Sequence, residues 1–297
     1  MQAFAEPYRH GWRQAVLVRD QLYDGQSDFQ HIQVLDTVPF GRMLVLDDAT
    51  QTSEVDEYIY HEMLVHVPMM AHLDPKRVLV IGGGDGGALR RVLEHPVAKA
   101  TMVEIDGEVV RVSRELLPAI AGDAFEDPRT ELIIGDGVKY LRETEEHFDI
   151  ILVDSTDPVG PAVDLFGESF YQDARRTLGE DGIIVTQSGS PLVMLDELIA
   201  AVHLMRRVFP IVKTYLCSIP LYPGVLWSFT AASRGGDPEA VEPTAIAARL
   251  RANHHPTGWY TPAIHRAAFA LPNFLAAALE TQTADDPAAF PVPISGE

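Results

Sequence analysis

The chain has 297 residues, of which 46% are hydrophobic and 22% charged, a composition typical of a folded protein of about two domains. Its 23 Lys and Arg residues against 43 Asp and Glu residues give a formal net charge of −20, which disfavours nucleic acids and anionic membranes as partners and favours cations. No apolar run reaches the roughly 18 residues of a membrane-spanning helix, and no signal-like block opens the chain, so we expect a cytoplasmic protein. A single cysteine, Cys217, excludes an internal disulfide, and its apolar neighbours predict a buried side chain.

Short β-rich runs come first along the chain. They cover residues 14–20, 29–35 and 42–46, separated by turn-forming sequences, and predict a small antiparallel sheet. From Tyr58 to Met70 the apolar residues follow helical spacing, and Pro68 is expected to kink or shorten this helix near its end. We therefore expect an N-terminal β-domain over residues 1–55 and a second domain over residues 56–297.

Apolar strands alternate with amphipathic helices in the second domain. The predicted strands cover residues 78–81, 100–105, 132–134, 150–153 and 182–186, and the helices cover residues 88–93, 109–117, 138–142 and 195–205. Continuous apolar strands joined by helices favour a mostly parallel, doubly wound sheet. Residues 211–217 and 226–232 are joined by a short loop and should form a late antiparallel hairpin. The predicted fold class is thus α/β.

A glycine-rich loop connects the first strand of this series to a helix. Its glycines are Gly82, Gly83, Gly84, Gly86 and Gly87. Glycine permits positive φ and close approach of a ligand to the backbone, and the helix N-terminus adds a partial positive charge. The loop contains a G-x-G-x-x-G match, which favours a nucleotide or nucleoside ligand and leaves a dehydrogenase or a merely tight turn as alternatives.

Acidic residues follow each of the next strands at the carboxyl end, the edge at which such sheets bind ligands. Glu104 lies at the position where an acidic side chain of doubly wound proteins binds the ribose hydroxyls of a nucleotide. Asp136 follows the third strand, where a helix cap is the structural alternative, and Asp154 follows the fourth. Asp85, inside the glycine loop, would repel a pyrophosphate or a carboxylate and attract an ammonium group. This charge argues against NAD and against methyl transfer from S-adenosylmethionine.

Four separated motifs resemble the polyamine aminopropyltransferases, the family of spermidine synthase. They are the glycine loop at 82–87, DEYIYHEM at 56–63, VDSTDP at 153–158 and IPLYP at 219–223, within a resemblance that extends over about residues 12–275. It implies a β-domain followed by a methyltransferase-like Rossmann domain. It also implies transfer of an aminopropyl group from decarboxylated S-adenosylmethionine to putrescine. Decarboxylation removes the carboxylate that Asp85 would repel.

The resemblance also implies roles for individual residues. Asp154 would be the base at the attacking amine, with Tyr60 beside it, and Asp157, Tyr222 and Gln187 would bind the amine. The nucleoside donor would contact Gln30, Gln51, His61, Asp85, Glu104, Asp106, Asp136 and Gly137. His61 replaces a glutamine found in many members. Because the donor is a cosubstrate, no cofactor and no metal are expected, and the resemblance suggests a homodimer or homotetramer.

Several alternatives stay open at this stage. They are a methyltransferase acting on a small amine, aminopropyl transfer to agmatine or cadaverine, and a non-catalytic polyamine-binding protein. A bulky wall of Leu221, Tyr222 and Trp227 favours putrescine over spermidine. A zinc-protease helix is not expected, because its histidines lie one turn apart, whereas His61 and His66 are five positions apart and face different directions.

A serine hydrolase is likewise not expected, because Ser155 and Ser188 lie outside a G-x-S-x-G elbow. The segment 155–167 is rich in Pro and Gly and follows the proposed base directly. We expect it to be a lid that orders when ligands bind.

Overall fold

Two β-sheets and a set of helices make up the protein in the computed structural model, which describes residues 2–7, 12–155, 167–253 and 256–281. The first sheet is antiparallel, with its five strands in chain order. These strands are β1 (Gln2–Pro7), β2 (Arg13–Gln26), β3 (His31–Thr37), β4 (Gly41–Leu46) and β5 (Ala49–Ser53). The three predicted β-rich runs overlap β2, β3 and β4, whereas β1 and β5 have no counterpart in the sequence prediction.

A long helix, α1 (Glu57–Ala71), follows the first sheet and is buried on almost every side. Pro68 lies inside this helix, which continues to Ala71, so the proline does not end it. The helix closes where the backbone N–H of His72 donates to the carbonyl of Pro68. α1 packs against the second sheet, and its buried residues belong to the same hydrophobic core as those of the first sheet. The helix thus joins the two sheets.

The second sheet has seven strands in the order β11-β12-β10-β9-β6-β7-β8. They are β6 (Arg77–Gly82), β7 (Lys99–Glu104), β8 (Thr130–Ile134), β9 (Phe148–Asp154), β10 (Leu178–Gln187), β11 (Ile211–Ser218) and β12 (Leu226–Ser233). The run from β8 to β10 is parallel, whereas β12 pairs antiparallel with both β10 and β11. This confirms the mostly parallel sheet with a late antiparallel hairpin.

Helices cover both faces of this sheet. They are α2 (Gly87–Leu93), α3 (Gly107–Leu116), α4 (Pro118–Ala121), α5 (Gly137–Glu143), α6 (Glu168–Thr177), α7 (Leu195–Val208), α8 (Pro243–Asn253), α9 (Pro262–Ala268) and α10 (Asn273–Thr281). Val78 and Val80 of β6 belong to the core on one face, and Leu79 and Ile81 belong to the core on the other. Alternate residues of β6 therefore pack into the hydrophobic cores on opposite faces of the sheet, as expected for a doubly wound sheet.

Two sequence expectations concern burial and membranes. Cys217 is buried, as predicted, and burial raises the pKa of its thiol, so the side chain behaves as a small hydrophobe. Among the described residues, no helix has the length and apolar character needed to cross a bilayer.

The strand order reverses next to β6. From β6 the chain passes to β7 and β8 on one side, and it returns at β9 on the other side. Sheets of this kind bind ligands in the crevice outside the carboxyl ends of the strands at such a reversal. The residues that follow β6, β7 and β9 therefore surround the candidate site.

Candidate active site

A cavity of about 510 Å³ opens at this reversal, between the carboxyl ends of the second sheet and the edge of the first sheet. Most of the site residues expected from the sequence line it together. These are Gln30, Gln51, Tyr60, His61, Gly82, Gly83, Gly84, Asp85, Glu104, Asp136, Gly137, Asp154, Gln187 and Tyr222. Residues separated by almost the whole chain thus meet in one pocket.

Four expected residues do not appear in this lining. Asp106 caps α3 instead, and its Oδ2 accepts a hydrogen bond from the side-chain amide of Gln30 at 3.0 Å. Gly86 and Gly87 lie at the end of the glycine loop, where Gly86 has a φ of 79° and immediately precedes α2. Asp157 lies outside the described residues, as does almost all of the expected lid at 155–167.

The glycine loop and the end of β9 approach each other so closely that only glycine fits. Gly82 has a φ of 81°, and a Cβ there would lie 2.3 Å from the carbonyl oxygen of Asp154. The N–H of Gly83 donates to that same oxygen at 2.8 Å. The loop therefore fixes the backbone of Asp154.

Asp154 lines the cavity, and its carboxyl group is held by one hydrogen bond. The hydroxyl of Tyr60 donates to Oδ1 at 2.7 Å, while the buried Oδ2 has no hydrogen-bond partner among the described residues. Burial raises the pKa of Asp154 to about 6, although the charge of the neighbouring His61 lowers it. A buried carboxylate with one free oxygen is suited to accept a proton from a ligand.

His61 lies between two carboxylates. Its Nδ1 is 2.7 Å from Oε2 of Glu57, and its Nε2 is 3.6 Å from Oδ1 of Asp85. Burial opposes protonation of the ring, but the carboxylates of Asp85 and Glu57 outweigh it and raise the pKa of His61 to about 10. His61 is therefore an imidazolium at neutral pH. Asp85 is oriented in turn by the N–H of Gly87, which donates to Oδ1 at 2.7 Å.

Ligand atoms of His61, Asp85 and Asp154 lie within 4.8 Å of one another, close enough to surround a metal ion. Coordination would require His61 to release its proton. As an imidazolium, His61 instead pairs with Glu57 and Asp85, so these side chains form an ion-pair network. Its carboxylates suit a cationic ligand.

The nucleoside half of the expected site contains two acids at strand ends. Burial raises the pKa of Glu104 to about 7, and hydroxyl groups of a bound ligand would stabilise its ionised form. Asp136 caps α5, since Oδ1 accepts from the N–H groups of Val138 and Lys139 at 2.8 and 3.1 Å. It lines the cavity as well, so the capping alternative and a binding role are compatible. Gly137 leaves room for the side chain of Ile81, because a Cβ at position 137 would lie 2.4 Å from Cγ2 of Ile81.

Aromatic rings enclose the other half of the cavity. The rings of Tyr60 and Tyr222 are 5.7 Å apart, and those of Tyr222 and Trp227 are 4.5 Å apart. The Tyr222 hydroxyl donates to the carbonyl of Gln51 at 2.6 Å, which ties this wall to the first sheet. Leu221 was expected in the wall, but it does not line the cavity because its side chain is buried in the core.

Three acidic residues of the site were missed by the sequence analysis. Glu57 contacts His61, and the i,i+4 spacing on one helix was a signal that could have found it. Asp56 accepts from the Ser53 hydroxyl at 2.6 Å and from the N–H of Leu221 at 2.8 Å, and so connects three segments of the wall. Glu6 of β1 lines the cavity, and nothing in its sequence neighbourhood signals this.

Comparisons with known proteins agree with this geometry. The family model described as spermine/spermidine synthase domain matches residues 57–240, and the one described as spermidine synthase tetramerisation domain matches residues 2–54. A polyamine aminopropyltransferase of Desulforudis audaxviator is 48% identical over 274 residues, which are 92% of this chain and 97% of the relative. The Bacillus subtilis protein of the same name is 46% identical over 260 residues, 87% of this chain and 91% of the relative.

Solved structures resemble the whole architecture. A spermidine synthase in complex with the transition-state analogue AdoDATO superposes with a TM-score of 0.90 at 38% identity and covers 95% of this chain and 96% of that one. The spermidine synthase of Thermotoga maritima gives a TM-score of 0.89 at 38% identity and covers 95% of each chain.

Proposed function

The chain belongs to the spermine/spermidine synthase family, and from this premise we propose that it transfers an aminopropyl group from decarboxylated S-adenosylmethionine to putrescine. The products are spermidine and 5′-methylthioadenosine. The observation that supports this most directly is the Asp154 carboxyl group in the cavity wall, with Tyr60 on one oxygen and the other oxygen buried without a partner among the described residues.

The reaction is a direct displacement at the carbon next to the sulfonium. The amine lone pair forms the new C–N bond, the C–S bond breaks, and its electron pair neutralises the sulfur. Holding the two reactants in line contributes about 7 to 11 kcal/mol to lowering the barrier. The cavity can hold the two reactants in line, because the acidic residues near the glycine loop lie on one side of it and the aromatic wall lies on the other.

Asp154 takes the proton that the attacking nitrogen loses. An alkylamine with a pKa of about 10 differs from an ordinary aspartate by about 6 units, at about 1.4 kcal/mol per unit. Because burial raises the pKa of Asp154 to about 6, the gap narrows to about 4 units. Desolvation of the amine and the nearby sulfonium charge lower the pKa of the amine and narrow the gap further.

The donor occupies the acidic half of the cavity. Asp85 pairs with the aminopropyl ammonium, Glu104 binds the ribose hydroxyls, and Asp136 with Gly137 borders the adenine. A carboxylate on the donor would lie near Asp85 and be repelled, which favours the decarboxylated donor over S-adenosylmethionine. The donor itself supplies the electrophilic carbon, and we infer that the reaction uses no cofactor and no metal.

The acceptor is putrescine, bound against the rings of Tyr60, Tyr222 and Trp227. These rings are 4.5 to 5.7 Å apart from centre to centre and form a wall that suits an unbranched chain of methylenes. The expected contribution of Asp157 and the lid over 155–167 belong to this proposal. Gln187 lines the cavity beside Ser155, to whose carbonyl it donates at 3.2 Å.

We also infer the organisation of the whole protein. The matched ranges 2–54 and 57–240 support a β-domain over residues 1–55 and a catalytic domain over residues 56–297. The description of the first range as a tetramerisation domain supports a homo-oligomer, a dimer or a tetramer. The net charge of −20 supports a cytoplasmic enzyme of small cationic substrates without nucleic-acid or membrane partners.

The direct test is to incubate the protein with putrescine and either donor and to identify the amine product by mass spectrometry. Spermidine and methylthioadenosine are expected with the decarboxylated donor alone. Methylated putrescine formed from S-adenosylmethionine would instead establish the methyltransferase alternative. Binding of both substrates without any product would establish a polyamine-binding protein.

A further inference from the structure

A continuous row of charged side chains leads from Asp85 in the glycine loop through the buried His61, Glu57 and Arg91 to the half-buried Glu94. Oε1 of Glu94 is 2.8 Å from Nη1 of Arg91, and Nη2 of Arg91 is 2.8 Å from Oε1 of Glu57. The other oxygen of Glu57 contacts Nδ1 of His61 at 2.7 Å, and Nε2 of His61 faces Asp85 at 3.6 Å. Each oxygen of Glu57 thus has a different cationic partner.

The burial of this row makes its geometry rigid. Arg91 is 7% exposed, Glu57 8% and His61 1%. A buried charge without a partner costs several kcal/mol, so none of these groups can turn away without replacing its contact. A Cβ on Gly87 would lie 2.1 Å from Cε1 of His61, which shows how closely the ring is packed against the glycine loop.

We propose that Glu57, anchored by Arg91, is a positioning residue that fixes the ring and proton of His61 against Asp85, the carboxylate that pairs with the ammonium group of the donor. This inference rests on the proposed function, in which Asp85 binds the donor and Asp154 accepts the proton. Glu57 and Arg91 do not line the cavity, so both act through His61.

The charges around His61 set the direction of the effect. Glu57 and Tyr60 face it from α1, Asp85 from the glycine loop and Asp154 from the end of β9. Burial opposes the ionised form of Glu57, but His61 and Arg91 outweigh it and lower the pKa of Glu57. The ionised Glu57 stabilises the imidazolium, and the imidazolium lowers the pKa of Asp154. Loss of the Glu57 charge therefore lowers the pKa of His61 and removes the contact that holds its ring against Asp85.

The test is Glu57→Gln, which keeps the shape of the side chain and removes its charge. The KM for the donor should rise, whereas kcat should change little, because Glu57 acts on donor binding through His61 and Asp85. The acid limb of kcat/KM with putrescine should stay near pH 6, since His61 is still a cation there. Nitrogen NMR of the imidazole without substrates should show that His61 loses its proton at lower pH in the variant.

Glu94→Gln is the matched control, because Glu94 forms an ion pair with Arg91 but not with His61 in the part of the chain that the structure describes. It should reduce stability and leave the donor KM and the His61 titration in place. If Glu57→Gln does not fold, Arg91→Met should shift both readouts in the same direction by a smaller amount.

An unchanged donor KM together with an unchanged His61 titration in Glu57→Gln would overturn the positioning role. The NMR titration needs no substrate, so it tests the control of His61 even if the proposed reaction fails. A protein that transfers no aminopropyl group but shows the titration shift would contradict the proposed function alone.

Discussion

At the scale of single side chains, burial decides the chemistry of Asp154. The residue has one hydrogen bond from Tyr60, one unpartnered oxygen and a pKa of about 6. An aspartate in water is a much weaker base because its pKa is about 4. The environment of Asp154 thus supplies part of what proton transfer from an amine requires.

The variant Asp154→Asn removes the carboxylate and nearly preserves its shape. Turnover should fall by at least about 100-fold, the low end for general base catalysis, whereas the donor should bind almost as before. Steady-state rates and calorimetric donor titrations measure the two effects separately. Turnover close to that of the parent would remove Asp154 from the mechanism.

The variant Tyr60→Phe tests the hydrogen bond on Asp154. This bond lowers the pKa of Asp154, so its loss raises that pKa. Because the ionised carboxylate is the base, the acid limb of kcat/KM should move from about pH 6 to higher pH. Tyr215→Phe is the control, since its hydroxyl donates to the carbonyl of Met63 in the core. An acid limb that moves equally in both variants would contradict this assignment.

At the scale of elements, the site depends on where the glycine loop meets α1 and β9. Gly82 and Gly83 allow the loop to contact Asp154, and Gly87 leaves space for the ring of His61. The loop therefore lines the cavity and also separates two elements that hold functional groups.

The variant Gly87→Ala introduces a Cβ 2.1 Å from the His61 ring. We expect the free energy of unfolding to fall by about 1 to 3 kcal/mol, as for other overpacked sites, and donor binding to weaken. Urea unfolding and donor titration measure both. Gly236→Ala is the control, because a Cβ there meets nothing within 4 Å. Equal effects of the two substitutions would show that the contact with His61 is unimportant.

The elements differ in how well the sequence predicts them. Strands such as β6 and β9 are apolar runs and were expected almost to the residue. β5 (Ala49–Ser53) is largely polar and is a strand because it pairs with β4, so its pattern contains little signal. The second half of β2 is likewise exposed and polar, and it is a strand because it pairs with β3.

Pro68 was expected to kink or shorten α1 near its end. The helix continues to Ala71, because a proline close to the end of a helix removes only one hydrogen bond.

The same distinction applies to the site. Residues in local motifs were predicted, Asp85 from the glycine loop that follows a strand and Tyr222 from the resemblance of the IPLYP motif to the aminopropyltransferases. Glu6 and the contact between Glu57 and Arg91 depend on pieces of chain that meet only in the fold. Leu221 was misplaced because adjacent residues of a loop face different directions.

At the scale of the whole molecule, the two sheets share one hydrophobic core through α1, so ionisation near α1 affects global stability. His61 has a pKa of about 10 in the folded protein, above its ordinary value of about 6.5. Its contribution to stability is therefore complete below about pH 6.5 and is lost as the pH rises through about 10.

The variant His61→Gln should lack this pH dependence. Urea unfolding between pH 7 and pH 10 should show a stability difference between parent and variant that shrinks as pH rises, at up to about 1.4 kcal/mol per pH unit. Parallel stability curves for the two proteins would show that His61 is not held as a cation.

The cavity as a whole determines the acceptor, and a comparison of amines tests the central claim most directly. With decarboxylated S-adenosylmethionine as donor, kcat/KM would be measured for putrescine, cadaverine, agmatine and spermidine. Putrescine should be preferred, and cadaverine should react slowly, because one methylene changes binding by only about 1 to 3 kcal/mol. A preference for agmatine or spermidine would contradict the proposed acceptor, and transfer to none of the four amines would contradict aminopropyl transfer itself.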